Sequence, residues 1–325
     1  MSIAVHLLRE IGAAPVAYLR ARLQPEVALT VGPEVPQPAG YEILVAGRPA
    51  PEHITASPDL RALVIPFAGL PQETRALMLD FPHISVHNLH HNAVAAAEMA
   101  IALMLTAAKF IVPADRALRQ DDWRPRYRPG RAFVLEGRMA LILGYGAIGR
   151  RVARACRGLG MEFIAIRRGR CEEPCRRVHQ AEALPSLLPK ADVLIVALPL
   201  TAATLGLIGQ EELALLPPNS LLVNVGRGPI VDEGALYHAL HEGRLYAAGL
   251  DVWYNYPDDR SSRSSTPPSA YPFRKLDNVV MSPHRAGMGG SGEIELRRMA
   301  HLARLLNAAA AGEEMPNRVD LDAGY

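Results

Sequence analysis

A glycine-rich turn between a buried strand and a helix constrains this chain more than any other feature. The apolar run Met139–Leu143 predicts the strand, and the turn that follows it reads Gly144-Tyr145-Gly146-Ala147-Ile148-Gly149. In this setting the first glycine permits a tight turn, the second allows an anionic group to approach, and the third lets helix and strand pack closely. The helix predicted over Gly149–Gly160 would present free N–H groups and a positive dipole end. We therefore expect a dinucleotide pyrophosphate to bind here.

Strand-like and helix-like runs alternate after this turn and predict a doubly wound parallel sheet. The runs that continue the series are strands at Glu162–Ile166, Val193–Ala197 and Leu221–Val225, with helices at about Ala181–Pro189 and Gln210–Leu215.

The first part of the chain has a similar alternation and predicts a second parallel sheet. Its predicted elements are strands at Ile3–Leu7, Ile43–Ala46, Ala62–Pro66 and Ile84–His87, with a helix at Pro71–Asp80. One long helix over Asn92–Leu118 and a polar crossover at Asp121–Arg131 would lead into the second domain, and the last helix, Glu293–Gly312, would cross back. The prediction is a substrate domain of residues 1–92 and 290–325 and a dinucleotide-binding domain of residues 93–289.

Composition excludes some partners and compartments. The formal net charge is +2, which gives no attraction to nucleic acid or an acidic membrane. The three cysteines and the absence of a signal-like start predict a cytoplasmic location and no membrane span. Cys171, Cys175 and His179 are spaced four apart, but Pro174 weakens the helix that would align them, so we expect no metal.

The strand that follows the glycine-rich turn ends in basic residues. NAD sites usually have an acidic residue there for the ribose 2′-hydroxyl. Here Arg167 and Arg168 take that place. Because guanidinium groups suit a 2′-phosphate, these two residues predict NADP(H) as the cofactor, with NAD as the alternative.

Two later segments contain an arginine and a histidine, which we place at strand ends. Arg227 lies in Asn224-Val225-Gly226-Arg227-Gly228, and His284 ends Met281-Ser282-Pro283-His284. A buried arginine can hold a carboxylate and polarise a carbonyl, and a histidine can supply the proton that accompanies hydride transfer. Together they suit the reduction of a 2-keto acid.

These motifs, in this order and spacing, resemble the D-isomer-specific 2-hydroxyacid dehydrogenases. The resemblance is carried by the glycine-rich turn, by Ala197-Leu198-Pro199-Leu200-Thr201 with Thr204 and Gly206–Gly209, and by the Arg227, Asp251-Val252 and Ser282-Pro283-His284 segments. It extends from about Asn92 to His284 and is generic before that.

The resemblance implies a role for each matching residue. The catalytic arginine would be Arg227 and the acid/base His284. The nicotinamide would contact Asp251 and the backbone near Val225 and Gly226, and the cofactor would also be lined by Ala147, Ile148, Leu198, Pro199 and Thr204. The first domain would be flavodoxin-like and bind substrate through Phe67, Ala68, Gly69 and Asn92. The family is typically dimeric, so a homodimer is expected.

One position departs from the family pattern. The family usually pairs its histidine with a Glu five residues after the Asp-Val aspartate, and here that residue is Tyr256. A nearby carboxylate raises a histidine pKa, so without it His284 should titrate lower and reduction should be fastest at lower pH. His90, His91 and Arg285 are further residues that either select an anionic substrate or pack without contacting it.

Three functions compete. The leading one is a reductase of the glyoxylate or hydroxypyruvate type. The second is oxidation of a small anion such as formate, favoured by Asn92, Trp253 and the missing Glu. The third is a non-catalytic NAD(P)H sensor, which the missing Glu favours and the retained Arg227 and His284 oppose.

Overall fold

Two parallel β-sheets, each in its own compact unit, make up the structure. The computed structural model describes residues 2–127, 132–168, 177–287 and 292–325. One unit is Met1–Asn92 with Met288–Tyr325, and the other is Ala93–Gly287. The sheets have five and seven strands, and every strand pairing within them is parallel. The predicted α/β class with two doubly wound sheets is confirmed.

The first unit has the strand order β2-β1-β3-β4-β5, the flavodoxin-like order. Its elements are β1 Ile3–Leu8, α1 Ala13–Arg20, β2 Val27–Gly32, β3 Ile43–Val45, α2 Pro51–Thr55, β4 Ala62–Ile65, α3 Gln72–Leu79, β5 Ser85–Asn88 and the C-terminal helix Gly292–Ala310.

The second unit has the order β12-β11-β10-β9-β6-β7-β8, which contains the doubly wound order of Rossmann domains. Its strands are β6 Met139–Leu143, β7 Glu162–Ile166, β8 Val178–His179, β9 Val193–Val196, β10 Ser220–Asn224, β11 Leu245–Leu250 and β12 Val279–Met281. Its α-helices are α4 Ala93–Ala108, α5 Ile111–Leu118, α6 Arg124–Tyr127, α7 Gly149–Gly158, α8 Leu184–Leu187, α9 Gln210–Leu215 and α10 Glu233–His241.

The central strand β6 shows why this sheet is covered on both faces. Ala140 and Ile142 point into one buried cluster, and Leu141 and Leu143 point into another. Successive side chains of a strand alternate between faces, so an uninterrupted apolar run requires helices on both sides. All four residues have 0% exposure.

The predicted long helix at Asn92–Leu118 was wrong. It is two helices, α4 and α5, bent by 66°. Phe110, between them, has left-handed backbone with φ 51°, and its ring packs edge-on against Tyr246 at 5.3 Å between centroids. Pro113, in the first turn of α5, is tolerated there but not within a continuous helix.

No single helix of the described residues is long and apolar enough to cross a membrane. The bent pair of α4 and α5 meets that test only when the two helices are taken together.

Two smaller differences concern element type. The predicted helix at Ala181–Pro189 is only a four-residue α-helix, α8, between two short 3₁₀ turns. No bounds were predicted for strands β2, β8, β11 and β12. The β2 sequence Val-Ala-Leu-Thr-Val-Gly alternates in burial over its first four residues.

Close packing of α4 on β11 gives a test of the fold. A Cβ at Gly249 would lie 2.7 Å from Leu103 Cβ and 3.1 Å from the Leu103 backbone. We expect Gly249→Ala to lower the free energy of unfolding by about 1–3 kcal/mol, because the helix must shift. Urea unfolding would measure this.

Gly158→Ala is the matched control, since its Cβ would meet nothing within 4 Å at the end of α7. Stability there should stay the same or rise slightly. Equal stability of Gly249→Ala and the wild type would contradict the close packing.

Candidate active site

Backbone hydrogen bonds just beyond the strands align the carboxyl ends of six neighbouring strands in the second unit, from β12 to β7. The bonds that extend the ladder are Gly144 N to Ile166 O, Ala197 N to Leu143 O, Val225 N to Val196 O, Asp251 N to Asn224 O and Ser282 N to Leu250 O, at 2.8–3.0 Å. Ligands of open α/β sheets bind at this edge, where the strand order reverses. Here the reversal lies between β6 and β9.

The glycines of the turn after β6 are required by its geometry. Gly144 has φ +100°, and a Cβ there would lie 2.6 Å from the Ala197 carbonyl oxygen. A Cβ at Gly149 would lie 1.9 Å from the Gly144 carbonyl oxygen. Neither position can therefore accept a side chain without moving backbone.

The turn is open where an anion would sit. A Cβ at Gly146 would meet nothing within 4 Å. None of the N–H groups of residues 145–148 donates a hydrogen bond to another described residue. Open amides at the start of α7 fit the pyrophosphate of a dinucleotide.

Arg167 and Arg168 directly follow the end of β7, at the position expected from the sequence. Strand β7 ends at Ile166, and the Arg167 N–H donates to the His179 carbonyl at 3.0 Å, which ties the residue to β8. Arg167 is half-buried and Arg168 exposed. Arg170, which follows them in the sequence, lies outside the described residues.

The loop after β9 is shaped by Thr204. Its hydroxyl donates to the Pro199 carbonyl at 2.7 Å and accepts from Thr201 N–H at 2.8 Å. Leu198 and Pro199 are half-buried beside the glycine-rich turn, since the Leu198 side chain lies 3.3 Å from a Cβ placed at Gly144. Thr204 thus holds this loop in shape.

Arg227 sits between two glycines that pack against neighbouring loops. A Cβ at Gly226 would lie 2.7 Å from the Leu198 carbonyl oxygen, and one at Gly228 would lie 2.2 Å from that of Trp253. Asn224, 2% exposed, accepts from Gly226 N and donates to the Arg227 carbonyl. The roles of Asn224 and Gly228 were not predicted, although the Asn-Val-Gly-Arg-Gly pattern is a signal for such a turn.

The expectation of a buried arginine was wrong. Arg227 is exposed, and its Nη1 donates to the Gly226 carbonyl at 2.7 Å. Its guanidinium group is therefore accessible to a ligand.

Asp251 anchors the loop that carries His284. Its carboxylate is fully buried and accepts hydrogen bonds from the Ser282 hydroxyl and from the N–H groups of Arg285 and Ala286, the last two at 2.8 Å. This anchoring role was not predicted. Its predicted contact with the nicotinamide stays a prediction.

His284 is half-buried and has left-handed backbone, with φ 55°. Its pKa lies below 6.5, first because burial disfavours the charged imidazolium and then because Arg227 is near, while Asp251 acts in the opposite direction. The shift has the direction expected from the missing Glu.

Tyr256 lies beside His284, with ring centroids 5.5 Å apart. Trp253, three residues before Tyr256, is 4% exposed, and its indole N–H donates to the Ser282 carbonyl at 2.8 Å.

In the first unit, the loop predicted to bind substrate also has backbone N–H groups available to a ligand. The N–H groups of Phe67, Ala68 and Gly69 donate to no other described residue, and Asn88 Nδ2 fixes the loop by donating to the Ala68 carbonyl at 2.9 Å. Asn92 follows in the same unit, half-buried and directly before α4.

His91 is a buried polar residue of the first unit. It is 3% exposed, and neither ring nitrogen has a hydrogen-bond partner among the described residues. Burial, followed by Arg298, His301 and His90, lowers its pKa to about 4. His90 is half-buried and also titrates low because of burial, and Arg285 is exposed.

No group of three or more metal-ligating side chains occurs within the described ranges. Cys171 and Cys175 lie outside those ranges. Cys156 is a buried free thiol whose pKa is raised to about 11 by burial.

The strand order and the open glycine-rich turn define the second unit as a Rossmann dinucleotide-binding unit. Residues 101–286 match the sequence model described as D-isomer specific 2-hydroxyacid dehydrogenase, NAD binding domain. With that match, the chain belongs to the D-isomer-specific 2-hydroxyacid dehydrogenases, and the family expected from the motifs is confirmed.

Individual relatives agree with this assignment. The chain is 37% identical over 231 residues to a glyoxylate reductase of Korarchaeum cryptofilum and 38% identical over 232 residues to one of Aeropyrum pernix. These alignments cover 69% and 70% of this chain and 65% and 66% of the relatives, just under two thirds of their lengths. The solved D-isomer specific 2-hydroxyacid dehydrogenase from Xanthobacter autotrophicus Py2, in complex with NADPH and MES, matches with a TM-score of 0.79 and 26% identity over 100% of both chains.

The low pKa of His91 predicts a pH-dependent stability. In the unfolded chain this histidine takes up a proton near pH 6.5, but in the folded chain only near pH 4. Its contribution to stability is therefore complete above pH 6.5 and is lost as the pH falls toward 4. Between pH 7 and pH 5 the wild type should lose about 2 kcal/mol more than His91→Gln, measured by urea unfolding. Parallel pH curves for the two proteins would contradict this.

Proposed function

We propose that this chain reduces a 2-keto acid to the D-2-hydroxy acid with NAD(P)H, or catalyses the reverse oxidation, as a glyoxylate or hydroxypyruvate reductase does. The observation that carries the proposal is the Arg227–His284 pair. Both residues follow strands of one sheet at its carboxyl edge, the arginine is accessible, and it is near enough to lower the pKa of the histidine. The glyoxylate reductases among the relatives support this substrate class.

Each member of the pair has one task. Arg227 binds the substrate carboxylate and polarises the carbonyl. His284 as imidazolium gives its proton to the carbonyl oxygen in reduction, and as neutral imidazole it takes the proton back in oxidation. When bound, the nicotinamide supplies or accepts the hydride.

The second unit supplies the cofactor-binding residues in this proposal. The amides of Tyr145, Gly146, Ala147 and Ile148 hold the pyrophosphate, while Leu198, Pro199, Thr204, Val225 and Gly226 line the nucleotide and nicotinamide. The first unit acts as the substrate domain, where the open amides of Phe67, Ala68 and Gly69, with Asn92, bind substrate oxygen atoms.

Initial rates with a panel of keto acids test the proposed activity. With glyoxylate, hydroxypyruvate, pyruvate and phenylpyruvate, the wild type should oxidise NADPH with at least one acid. Arg227→Ala and His284→Ala should each lower kcat/KM by about 100-fold or more, because carbonyl polarisation or the proton donor is lost.

Arg244→Ala and His238→Ala are matched controls, since both change exposed residues of the same unit. Their rates should stay near those of the wild type. Tight NADPH binding without turnover of any acid would contradict the reductase and favour the small-anion or sensor alternatives.

Cofactor preference is proposed to follow from Arg167 and Arg168. Each charge-assisted hydrogen bond to a 2′-phosphate contributes about 1.5–3 kcal/mol. The double variant Arg167→Ala/Arg168→Ala should therefore raise KM for NADPH by about 10-fold or more and leave KM for NADH nearly unchanged. Equal effects on the two cofactors would contradict this role.

We also propose that the chain forms a homodimer and works in the cytoplasm. The dimer proposal is supported by a group of exposed apolar side chains on and after α5: Ile111, Val112, Leu118, Trp123, Tyr127 and Val134. Contiguous exposed apolar side chains commonly mark protein interfaces.

Light scattering after gel filtration tests the dimer. The wild type should elute as a dimer and Ile111→Glu/Leu118→Glu as a folded monomer, because a charge cannot be buried unpaired. Leu205→Glu, at an exposed leucine in the loop after β9, is the control and should stay dimeric. A monomeric wild type would contradict the proposal.

A further inference from the structure

Tyr256 contacts the histidine at the position where the family usually has a Glu. Its ring centroid lies 5.5 Å from that of His284, with the planes tilted by 57°. The two residues come from different loops, after β11 and after β12. The contact therefore exists only in the folded second unit.

The His284 ring has few other restraints. Its backbone is fixed, because Asp251 holds the loop and the His284 N–H donates to the Ser282 carbonyl at 3.0 Å. Within the described part of the chain, however, no hydrogen bond reaches either nitrogen of its ring. The tilted contact with the Tyr256 ring is the aromatic contact that restrains it.

Tyr256 is itself firmly held. Its hydroxyl oxygen accepts from the Trp253 N–H at 3.1 Å. The two preceding residues, Tyr254 and Asn255, both donate their N–H groups to the Pro268 carbonyl, at 3.2 and 3.0 Å. The next residue is Pro257, which restricts the backbone of Tyr256. The ring is therefore a rigid surface beside the imidazole.

We propose that Tyr256 is the positioning residue of His284: its anchored, uncharged ring replaces a carboxylate partner, so that the imidazole works as a proton acceptor and donor without a paired anion. The proposal rests on the proposed function for its effect on rate. Its effect on the histidine itself does not depend on the substrate.

The charges around His284 agree with this role. Arg227 faces it from the loop after β10 and disfavours imidazolium. Asp251 favours imidazolium from the end of β11, but its carboxylate already accepts three hydrogen bonds. Burial is the largest influence on Tyr256 and raises its pKa above the ordinary value of 10.0, so the phenol is neutral near pH 7. Tyr256 therefore adds no negative charge at the position where the family usually has a Glu.

The chemical consequence is that His284 accepts a proton more readily than it donates one at neutral pH. Neutral imidazole predominates at pH 7, so His284 is ready to accept the hydroxyl proton in oxidation. Reduction requires the imidazolium, and its rate should rise as the pH falls toward the lowered pKa of His284. A carboxylate at position 256 should reverse this bias.

Tyr256→Glu tests the proposal in two independent ways. The His284 imidazole is titrated by NMR in the folded protein without substrate, with His284→Gln used to assign its signal. The pH profile of kcat/KM for keto-acid reduction is then measured. We expect Tyr256→Glu to raise the pKa of His284 by about one unit or more and to move the falling limb of the profile upward equally.

Three further variants distinguish the effect of the Tyr256 ring from other effects of its loop. Tyr256→Phe keeps the ring and should leave the His284 titration close to that of the wild type. Tyr256→Ala removes the ring and should lower kcat by about 10- to 100-fold with a smaller change in KM, because the imidazole loses its fixed position. Tyr254→Phe, which removes a neighbouring hydroxyl that donates to the Val231 carbonyl, should not move the His284 titration.

The proposal is overturned if Tyr256→Glu folds and leaves the His284 titration unchanged, or if Tyr256→Ala keeps the wild-type kcat. If Tyr256→Glu does not fold, the His284 titration and the kcat of Tyr256→Ala and Tyr256→Phe test the proposal instead. A shifted titration with no turnover of any keto acid would uphold the pairing and reject only the reductase.

Discussion

The buried carboxylate of Asp251 is the interaction on which the geometry of the site depends. It stands at the end of β11 and accepts three hydrogen bonds from the segment that carries His284. A buried charge is stable only when such donors surround it. Displacing the loop would therefore leave the buried carboxylate without its hydrogen-bond donors, which is unfavourable. Because β11 pairs with β10, the same strand also fixes the histidine relative to Arg227. The positions of the proton donor and the anion-binding group thus follow from one parallel sheet.

Much of the fold could be predicted because its signals are local. The strand, glycine turn and helix at Met139–Gly158 are adjacent in sequence, and the glycines are required by contacts within the turn and with Ala197. The break at Phe110 could not be predicted from apolar periodicity, because the left-handed residue is supported by packing on distant Tyr246. Pro113 was the local signal that favoured two helices.

The residues of the site could also be predicted from the sequence, but not how their loops pack. Arg227 and His284 were identified from their motifs, and their placement after strands of a parallel sheet brings them to one edge. The exposure of Arg227 and the donors around Asp251 depend on how three loops pack, which the sequence does not encode locally. The Tyr256–His284 contact is of the same kind: the substitution was visible, but its ring contact appears only in the fold.

The fate of the transferred hydride tests whether Arg227 and His284 serve the reduction of a 2-keto acid. The protein would be given hydroxypyruvate and NADPH deuterated at the transferring C4 position, and the product would be examined by mass spectrometry and chiral chromatography. We predict D-glycerate with one deuterium at C2, formed by the wild type and formed about 100-fold more slowly, or slower still, by His284→Ala. Product without deuterium, or of the L configuration, would contradict the assignment of Arg227 and His284 to reduction of a 2-keto acid.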